Sequence, residues 1–167
     1  MNSQTWEAGS SPADTSMDTL DDVDIDFALA GQGGTCVLLT APPGTALLAA
    51  REIVSRSGLR RTGIDVVDCH TADPVALRTA LCEHLLAPVR PDSSALLIRE
   101  VQALATADQA LLANLLETLK YGSANRRRVF ASSSVSLFDR VKAGTFDERL
   151  FYRLNIIHVI VDTADEH

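Results

Sequence analysis

The chain has 167 residues, an apolar share of 46% and a formal net charge of −7, which suit one α/β domain large enough to bury a core. No apolar run approaches the length of a membrane span, and the N-terminus lacks a basic region followed by an apolar one, so we expect a cytoplasmic protein without membrane contact. Residues 1–50 hold seven acids and no Lys or Arg, so the remaining body is charge-balanced, which argues against a domain built mainly to grip nucleic acid.

Residues 1–33 are rich in Ser, Asp, Thr and Gly, and this composition predicts a disordered acidic leader. Within it, Leu20–Phe27 alternates apolar and acidic residues. The segment could bind a partner, dock as a strand on the domain edge, or remain a solvated tail, and the solvated tail is favoured. The domain is expected to cover residues 34–163, with a short tail at 164–167.

An apolar run, Cys36–Thr40, has the pattern of a fully buried strand and leads into the loop Ala41–Leu48 (APPGTALL). A phosphate-binding loop reads Gly-x-x-x-x-Gly-Lys-Ser/Thr between a strand and a helix, so that backbone N–H groups, the lysine and the hydroxyl hold the phosphates and magnesium. Here Ala41 and Ala46 replace the glycines, Leu47 the lysine and Leu48 the hydroxyl residue. The loop therefore keeps the setting of a phosphate site without its positive charge.

Strands and helices alternate along the rest of the chain, which predicts a parallel sheet with helices on both faces. The predicted helices span about Thr45–Ser57, Pro74–Leu86 and Ala107–Lys120, the last with a stripe of five leucines, Leu111, Leu112, Leu115, Leu116 and Leu119. The further predicted strands are Ile64–Asp68, Ala95–Arg99, Arg128–Ser132 and Ile156–Val161. Three cysteines, Cys36, Cys69 and Cys82, are expected to be reduced and structural, and because the Cys/His spacing fits no standard finger no metal site is expected.

Several segments together resemble the AAA+ domain of sigma-54-dependent transcriptional activators, the bacterial enhancer-binding proteins. The most specific is Gly144–Asn155 (GTFDERLFYRLN), which is similar to that family's Gly-x-Phe-Arg-x-Asp-Leu-Tyr-Tyr-Arg-Leu-Asn. Ser94–Val101 (SALLIREV) resembles Gly-Thr-Leu-Phe-Leu-Asp-Glu-Ile and is followed by Gln109 and the leucine-rich helix, while Val66–Cys69 (VVDC) resembles Val-x-Asn-Cys. The resemblance covers residues 36–161 and implies a three-layer, P-loop NTPase-like α/β fold with a five-stranded, mostly parallel sheet.

The departures from the family pattern fall on the residues that handle ATP. The resemblance places Arg99 at the magnesium-binding aspartate, Ser134 at the γ-phosphate-sensing asparagine and Asp147 at the first of two trans-acting arginines. Glu100 keeps the position of the carboxylate that orients water, and Arg153 keeps the second arginine. Because phosphoryl transfer depends on positioned positive charge and metal, the chain is expected to be a pseudo-ATPase with no catalytic residues and no cofactor.

Two larger family parts are also expected to be absent. The interval between the second and third strands, residues 69–95, contains no Gly-Ala-Phe-Thr-Gly-Ala loop for contact with the sigma factor. The sequence stops at His167, shortly after the last predicted strand, which leaves no room for the helical lid domain or a DNA-binding helix-turn-helix. The chain is therefore not expected to activate transcription by the family's own mechanism.

The leading hypothesis is a non-catalytic regulator of sigma-54-dependent transcription, which contacts an AAA+ activator or copies of itself. The resemblance makes Asp147, Arg149 and Arg153 the candidate interface. One alternative is nucleotide binding without turnover, for which the candidate residues are Pro42, Pro43, Gly44 and Thr45 at a helix N-terminus. In the competing interpretation this loop only connects strand to helix, with Leu47 and Leu48 packed where the phosphate would lie.

A DNA-binding accessory protein is the third hypothesis, and it depends on the three consecutive arginines Arg126–Arg128 ahead of the fourth strand. Such a run is more often a solvated turn with one side chain packed. The acidic leader and the charge-balanced body weigh against it.

Overall fold

A computed structural model describes residues 36–57, 63–86, 93–120 and 128–162. The strands are β1 (Val37–Thr40), β2 (Gly63–Asp68), β3 (Ser93–Arg99), β4 (Arg128–Ser133) and β5 (Ile157–Ile160). The helices are α1 (Ala46–Arg56), α2 (Pro74–Leu86), α3 (Thr106–Lys120), α4 (Leu137–Lys142) and α5 (Glu148–Leu154), with a short 3₁₀ turn at Val101–Ala103. The acidic leader, the residues Arg126 and Arg127, and the tail 164–167 lie outside the described residues.

The strands form one five-stranded sheet in the order β2-β3-β4-β1-β5, and every neighbouring pair is parallel. The expected α/β fold with a P-loop NTPase-like sheet is confirmed. Its central strands β3, β4 and β1 are buried, as the sequence indicated, because helices cover both sides of a parallel sheet, whereas the edge strands β2 and β5 are partly exposed. β1 lies between β4 and β5, although β4 precedes β5 in the chain, so the β4–β5 connection passes over β1.

The direction of each crossover decides which face a helix covers. The connections β2–β3, β3–β4 and β4–β5 all run across the sheet in one direction, whereas β1–β2 runs the opposite way. Because parallel crossovers are right-handed, α2 to α5 cover one face and α1 lies on the other. Two core clusters follow this division, one containing Leu81, Leu112 and Leu150 from those helices and the other containing Ile53 from α1.

The leucine-rich helix packs as its pattern predicts. Leu112, Leu115 and Leu116 are buried in the larger cluster, and Leu111 and Leu119 pack against its border. This stripe is core. Among the described residues, no helix combines the length and apolar character that crossing a bilayer requires.

Candidate functional site

Polar and loop residues converge where β1, β3 and β4 end. The β1 connection leaves across one face of the sheet and the β4 connection across the other, so these adjacent strands define a topological switch point. Ligands of open α/β sheets bind in the crevice at such a point, beyond the carboxyl ends of the strands. The N–H of Ala41 donates to the carbonyl of Ser133 at 3.1 Å and joins the two strand ends.

The loop after β1 is a tight turn closed on itself. Pro42, Pro43, Gly44 and Thr45 have the residue pattern of a type II turn, with proline second and a glycine of positive φ (+89°) third. A side chain at Gly44 would meet no atom within 4 Å, so glycine is required by backbone conformation and not by space. The carbonyl of Pro42 accepts both the N–H of Thr45 at 3.2 Å and its hydroxyl at 2.7 Å.

This hydrogen bonding limits what the loop can offer an anion. Two of its five residues between β1 and α1 are prolines, which lack an N–H, and the N–H groups of Ala41 and Thr45 are used inside the protein. Four of these five residues therefore present no free backbone donor, and the backbone N–H groups left for an anion are those of Gly44 and of the first turn of α1. A phosphate-binding loop depends on the opposite arrangement, with several N–H groups aimed at the ligand.

The two leucines at the start of α1 differ in their surroundings. Leu47 is partly buried and packs against the core cluster beneath α1. Leu48 is 64% exposed, so the expectation that both leucines fill the phosphate position is wrong for Leu48. Adjacent positions on a helix point about 100° apart, and only Leu47 faces the core.

Arg99, at the end of β3, faces a carboxylate on the neighbouring strand. Asp68 is paired with Arg99 in the β2–β3 register, and its Oδ2 lies 3.8 Å from Nη1 of Arg99. The other oxygen of Asp68 accepts the N–H of His70 at 2.8 Å. The position that the resemblance assigns to a metal-binding aspartate thus carries a cation with a partner beside it.

Glu100 follows β3 in the left-handed region (φ +56°), and its side chain is engaged by neutral donors. The hydroxyl of Ser134 donates to its Oε2 at 2.8 Å, and Nε2 of Gln102 donates to the same oxygen. Gln102 also lies 3.0 Å from the Ser134 hydroxyl, which closes a three-residue network. The positions to which the resemblance assigns the orienting of water and the sensing of phosphate therefore contact each other directly.

The segment with the strongest family resemblance, Gly144–Asn155, begins where helix α4 ends. Gly144 (φ +75°) follows α4, its N–H donates to the carbonyl of Val141, and the N–H of Thr145 donates to the carbonyl of Arg140. This pair of bonds is a Schellman motif, and it explains why glycine occupies that position.

Asp147 starts α5 and holds it in place. Its carboxylate accepts the N–H of Leu150 at 2.7 Å, so it acts as the N-cap of α5. Its own N–H donates to Oε1 of Gln109 at 2.8 Å, and Nε2 of this buried glutamine donates to the carbonyl of Leu104 at 2.9 Å. Gln109 therefore ties α5 to the start of α3.

Arg149 and Arg153, one turn apart on α5, share one carboxylate. The two oxygens of Glu117 on α3 lie 3.2 Å from Nη2 of Arg149 and 2.9 Å from Nη2 of Arg153. Arg149 also donates to Asn114. The side chain of Arg153 is 24% exposed, and its Nε is buried without a hydrogen-bond partner among the described residues. The three candidate interface residues thus lie on one short helix or at its N-cap, each with an intramolecular contact.

Other candidate residues are packed into the body. Arg128 is buried, and this burial lowers the pKa of its guanidinium, so the described member of the arginine run is not displayed to a nucleic acid. Burial, reinforced by the nearby Asp68 and Glu100, raises the pKa of the Cys69 thiol to about 12 and keeps it protonated. In the described ranges, no group of three or more His, Cys, Asp or Glu side chains is placed to hold a metal ion.

Sequence reasoning identified Arg99, Glu100 and Ser134 at the strand ends and Arg149 and Arg153 on α5, but it missed the residues that contact these side chains. Gln102, Asp68 and Glu117 each act through a contact between separate elements or across a turn, and no spacing rule reveals such a contact. Gln109 was noted only for its order in the chain. The sign that the sequence offered was a polar glutamine at helical spacing from Leu112 and Leu116, on the stripe that forms the core face of α3.

The sequence matches the family model described as Sigma-54 interaction domain over residues 18–162. No curated protein sequence matches the chain.

Solved structures share this fold. NtrX from Brucella abortus in complex with ADP is 21% identical with a TM-score of 0.66, over 95% of this chain and 38% of that one. The P-loop NTPase domain of a sigma-54 activator from E. coli is 12% identical with a TM-score of 0.62, over 86% and 94%. A RuvB mutant from Thermotoga maritima is 19% identical with a TM-score of 0.58, over 85% and 46%. The chain thus spans about two fifths of the length of NtrX.

Proposed function

Because the chain belongs to the sigma-54 interaction domain family, a family of ATPase domains, we propose that it is a non-catalytic regulator of sigma-54-dependent transcription. It acts through contact with an AAA+ activator and leaves hydrolysis to that partner. The observation that carries this proposal is the loop after β1, four of whose five residues offer no free backbone donor. Leu47, at the lysine position, supplies no positive charge.

The residues present do not fit a magnesium–nucleotide complex. Magnesium takes oxygen ligands, and the cation Arg99 stands where the resemblance expects one. Two carboxylates lie near it, and both have partners: Asp68 lies beside Arg99, and Glu100 accepts from Ser134 and Gln102. Catalysis of phosphoryl transfer rests on positioned positive charge and metal, and this arrangement supports a chain that performs no such step.

The proposed contact with the partner uses α5. Arg153 keeps the arginine that the family resemblance places at a subunit interface. Arg149 lies on the same short helix, and Asp147 is its N-cap. Glu117 holds both arginines in this chain, so an approaching nucleotide phosphate has to compete with this carboxylate for Arg153. Both partners of the pair remain partly exposed, which leaves the exchange open to an incoming anion.

An association measurement with paired variants tests the proposal. Replacing Arg153 with Ala is expected to weaken binding to the AAA+ domain of a sigma-54 activator from the same organism by about 10-fold or more, since charge pairs buried at interfaces are worth this much. Glu117→Gln keeps Arg153 but weakens its ion pair within the chain. Binding of this variant to the activator should therefore be equal to or stronger than that of wild type. Each activator of the organism is assayed by titration, with ATP and without it.

Two results contradict the proposed contact. One is unchanged association of the Arg153→Ala variant with an activator that the wild type binds. The other is equal weakening by Arg153→Ala and Glu117→Gln, because the pair would then matter only for packing α5 on α3. Thermal unfolding of both variants separates a loss of fold from a loss of contact.

A further inference from the structure

An apolar surface lies at the β5 edge of the sheet, on the face covered by α4 and α5. We call it the β5-edge surface, and its exposed members are Phe138 (54%), Tyr152 (64%), Ile156 (58%) and Ile160 (58%). The ring of Phe151 joins two of them, with centroid distances of 6.2 Å to Phe138 and 5.5 Å to Tyr152. Aromatic and aliphatic side chains exposed together in this way are typical of a binding surface.

A cavity of about 280 Å³ opens beside this surface. Phe138, Phe151 and Ile160 line its apolar part. Thr40 and His158 contribute a polar part, in which the Thr40 hydroxyl and Nε2 of His158 lie 2.7 Å apart. Partial burial lowers the pKa of His158, which favours its neutral form and suits an apolar occupant. The cavity offers room for side chains that lie across the surface.

We propose that the segment Leu20–Phe27 of this same chain docks on the β5-edge surface. In an extended segment, Val23, Ile25 and Phe27 share one face and the aspartates between them share the other. The apolar face fits the exposed rings and isoleucines. This inference is independent of the proposed function.

The length of the connection permits this docking. The described structure begins at Cys36, directly before β1, and β1 is the neighbour of β5. Residues 28–35 can span about 27 Å when extended. From Cys36, the far end of this surface lies about 5 Å away across the sheet, which is one strand spacing, and about 13 Å along the strands. The connection is therefore long enough for the segment to reach the surface. The family match begins at residue 18, so it treats this segment as part of the domain.

Charge supports the same occupant. The last turn of α4 carries Arg140 and Lys142, and Nζ of Lys142 lies 4.6 Å from the centroid of the Phe138 ring. Asp139 lies 3.8 Å from that ammonium, but both side chains are more than 60% exposed, so this contact is weak. A segment with acids at alternate positions brings negative charge to this basic turn.

Photo-crosslinking of the full chain tests the inference. Benzoylphenylalanine replaces Phe27 in one variant and Trp6, outside the segment, in a matched control. After irradiation, the label at position 27 is expected to produce a monomeric product cross-linked within residues 137–160, at a yield several-fold above the control. Ile160→Asp, at a site that is mostly exposed and tolerant of charge, is expected to reduce this yield several-fold while cooperative unfolding persists.

Three results overturn the inference. The first is equal yields from positions 27 and 6, and the second is cross-links from position 27 that map to other elements of the domain. The third is a covalent dimer whose yield falls on dilution, because the occupant would then be a second copy. If Ile160→Asp abolishes cooperative unfolding, Tyr152→Glu replaces it and the same criteria apply.

Discussion

Replacing Glu100 with Ala is expected to lower the free energy of unfolding by about 2–3 kcal/mol, the worth of charge-assisted hydrogen bonds lost inside a protein. The buried carboxylate of Glu100 accepts from Ser134 and Gln102, and in the variant both donors lose this charged acceptor and keep only their contact with each other. Alanine gains nothing in exchange, because it is strained in the left-handed region as glutamate is. Chemical denaturation of the two proteins at neutral pH measures the difference.

The sign of this effect separates two roles for Glu100. A carboxylate held ready for catalysis costs stability, so its removal is neutral or stabilising. A carboxylate satisfied by its neighbours contributes stability, and its removal is destabilising. Glu100→Gln keeps one acceptor oxygen and should fall between wild type and Glu100→Ala. A Glu100→Ala variant more stable than wild type would contradict the structural role.

Replacing Gln109 with Ala is expected to cost about 2–4 kcal/mol of unfolding free energy, because it leaves two backbone groups without partners and opens a cavity. The amide of Gln109 joins the carbonyl of Leu104 to the N–H of Asp147, the residue that caps α5. The loss of stability should appear in chemical denaturation. Relative to wild type, amide hydrogen exchange in the variant should increase more in α5 than in β1. This effect matters for function because α5 carries the candidate interface.

Asn114→Ala is the matched control for Gln109. It lies on the same helix and is exposed, and its side chain accepts from the surface side chain Arg149, while its backbone carbonyl accepts from the Thr118 hydroxyl and keeps that bond in the alanine variant. Surface substitutions of this kind usually change stability by about 0.5 kcal/mol or less. Similar losses for Gln109→Ala and Asn114→Ala would contradict the anchoring role of Gln109.

Much of the fold was predictable because its central strands are short, mostly apolar runs and because α1 and α3 carry apolar residues at helical spacing. The helix Pro74–Leu86 agrees at both ends with the prediction, since proline marks its start. Helices α4 and α5 were not predicted, because six or seven residues give too short a pattern for periodicity. Their caps, Ser136 and Asp147, were the available signs.

The sequence predicted where the residues of the candidate site lie in the fold, but it did not predict which side chains contact one another. The order of motifs located the loop, Arg99, Glu100 and Ser134 at the strand ends, where a parallel sheet gathers them. The Pro-Pro-Gly-Thr sequence is typical of a type II turn and could have predicted that Thr45 bonds to the Pro42 carbonyl, but this turn was not predicted. The pairing of Glu117 with Arg153 joins residues 36 positions apart, so only the packing of α5 on α3 reveals it.

The most direct test of the central claim is the steady-state rate of ATP hydrolysis by the purified chain, with magnesium, over the full range of soluble protein concentration. The Glu100→Ala variant, purified identically, measures any contaminating ATPase, since it lacks the one retained family carboxylate. A non-catalytic chain predicts equal rates for wild type and variant, both at the level of the buffer blank. Turnover by the wild type that Glu100→Ala abolishes would contradict the account and assign the chain an active nucleotide site.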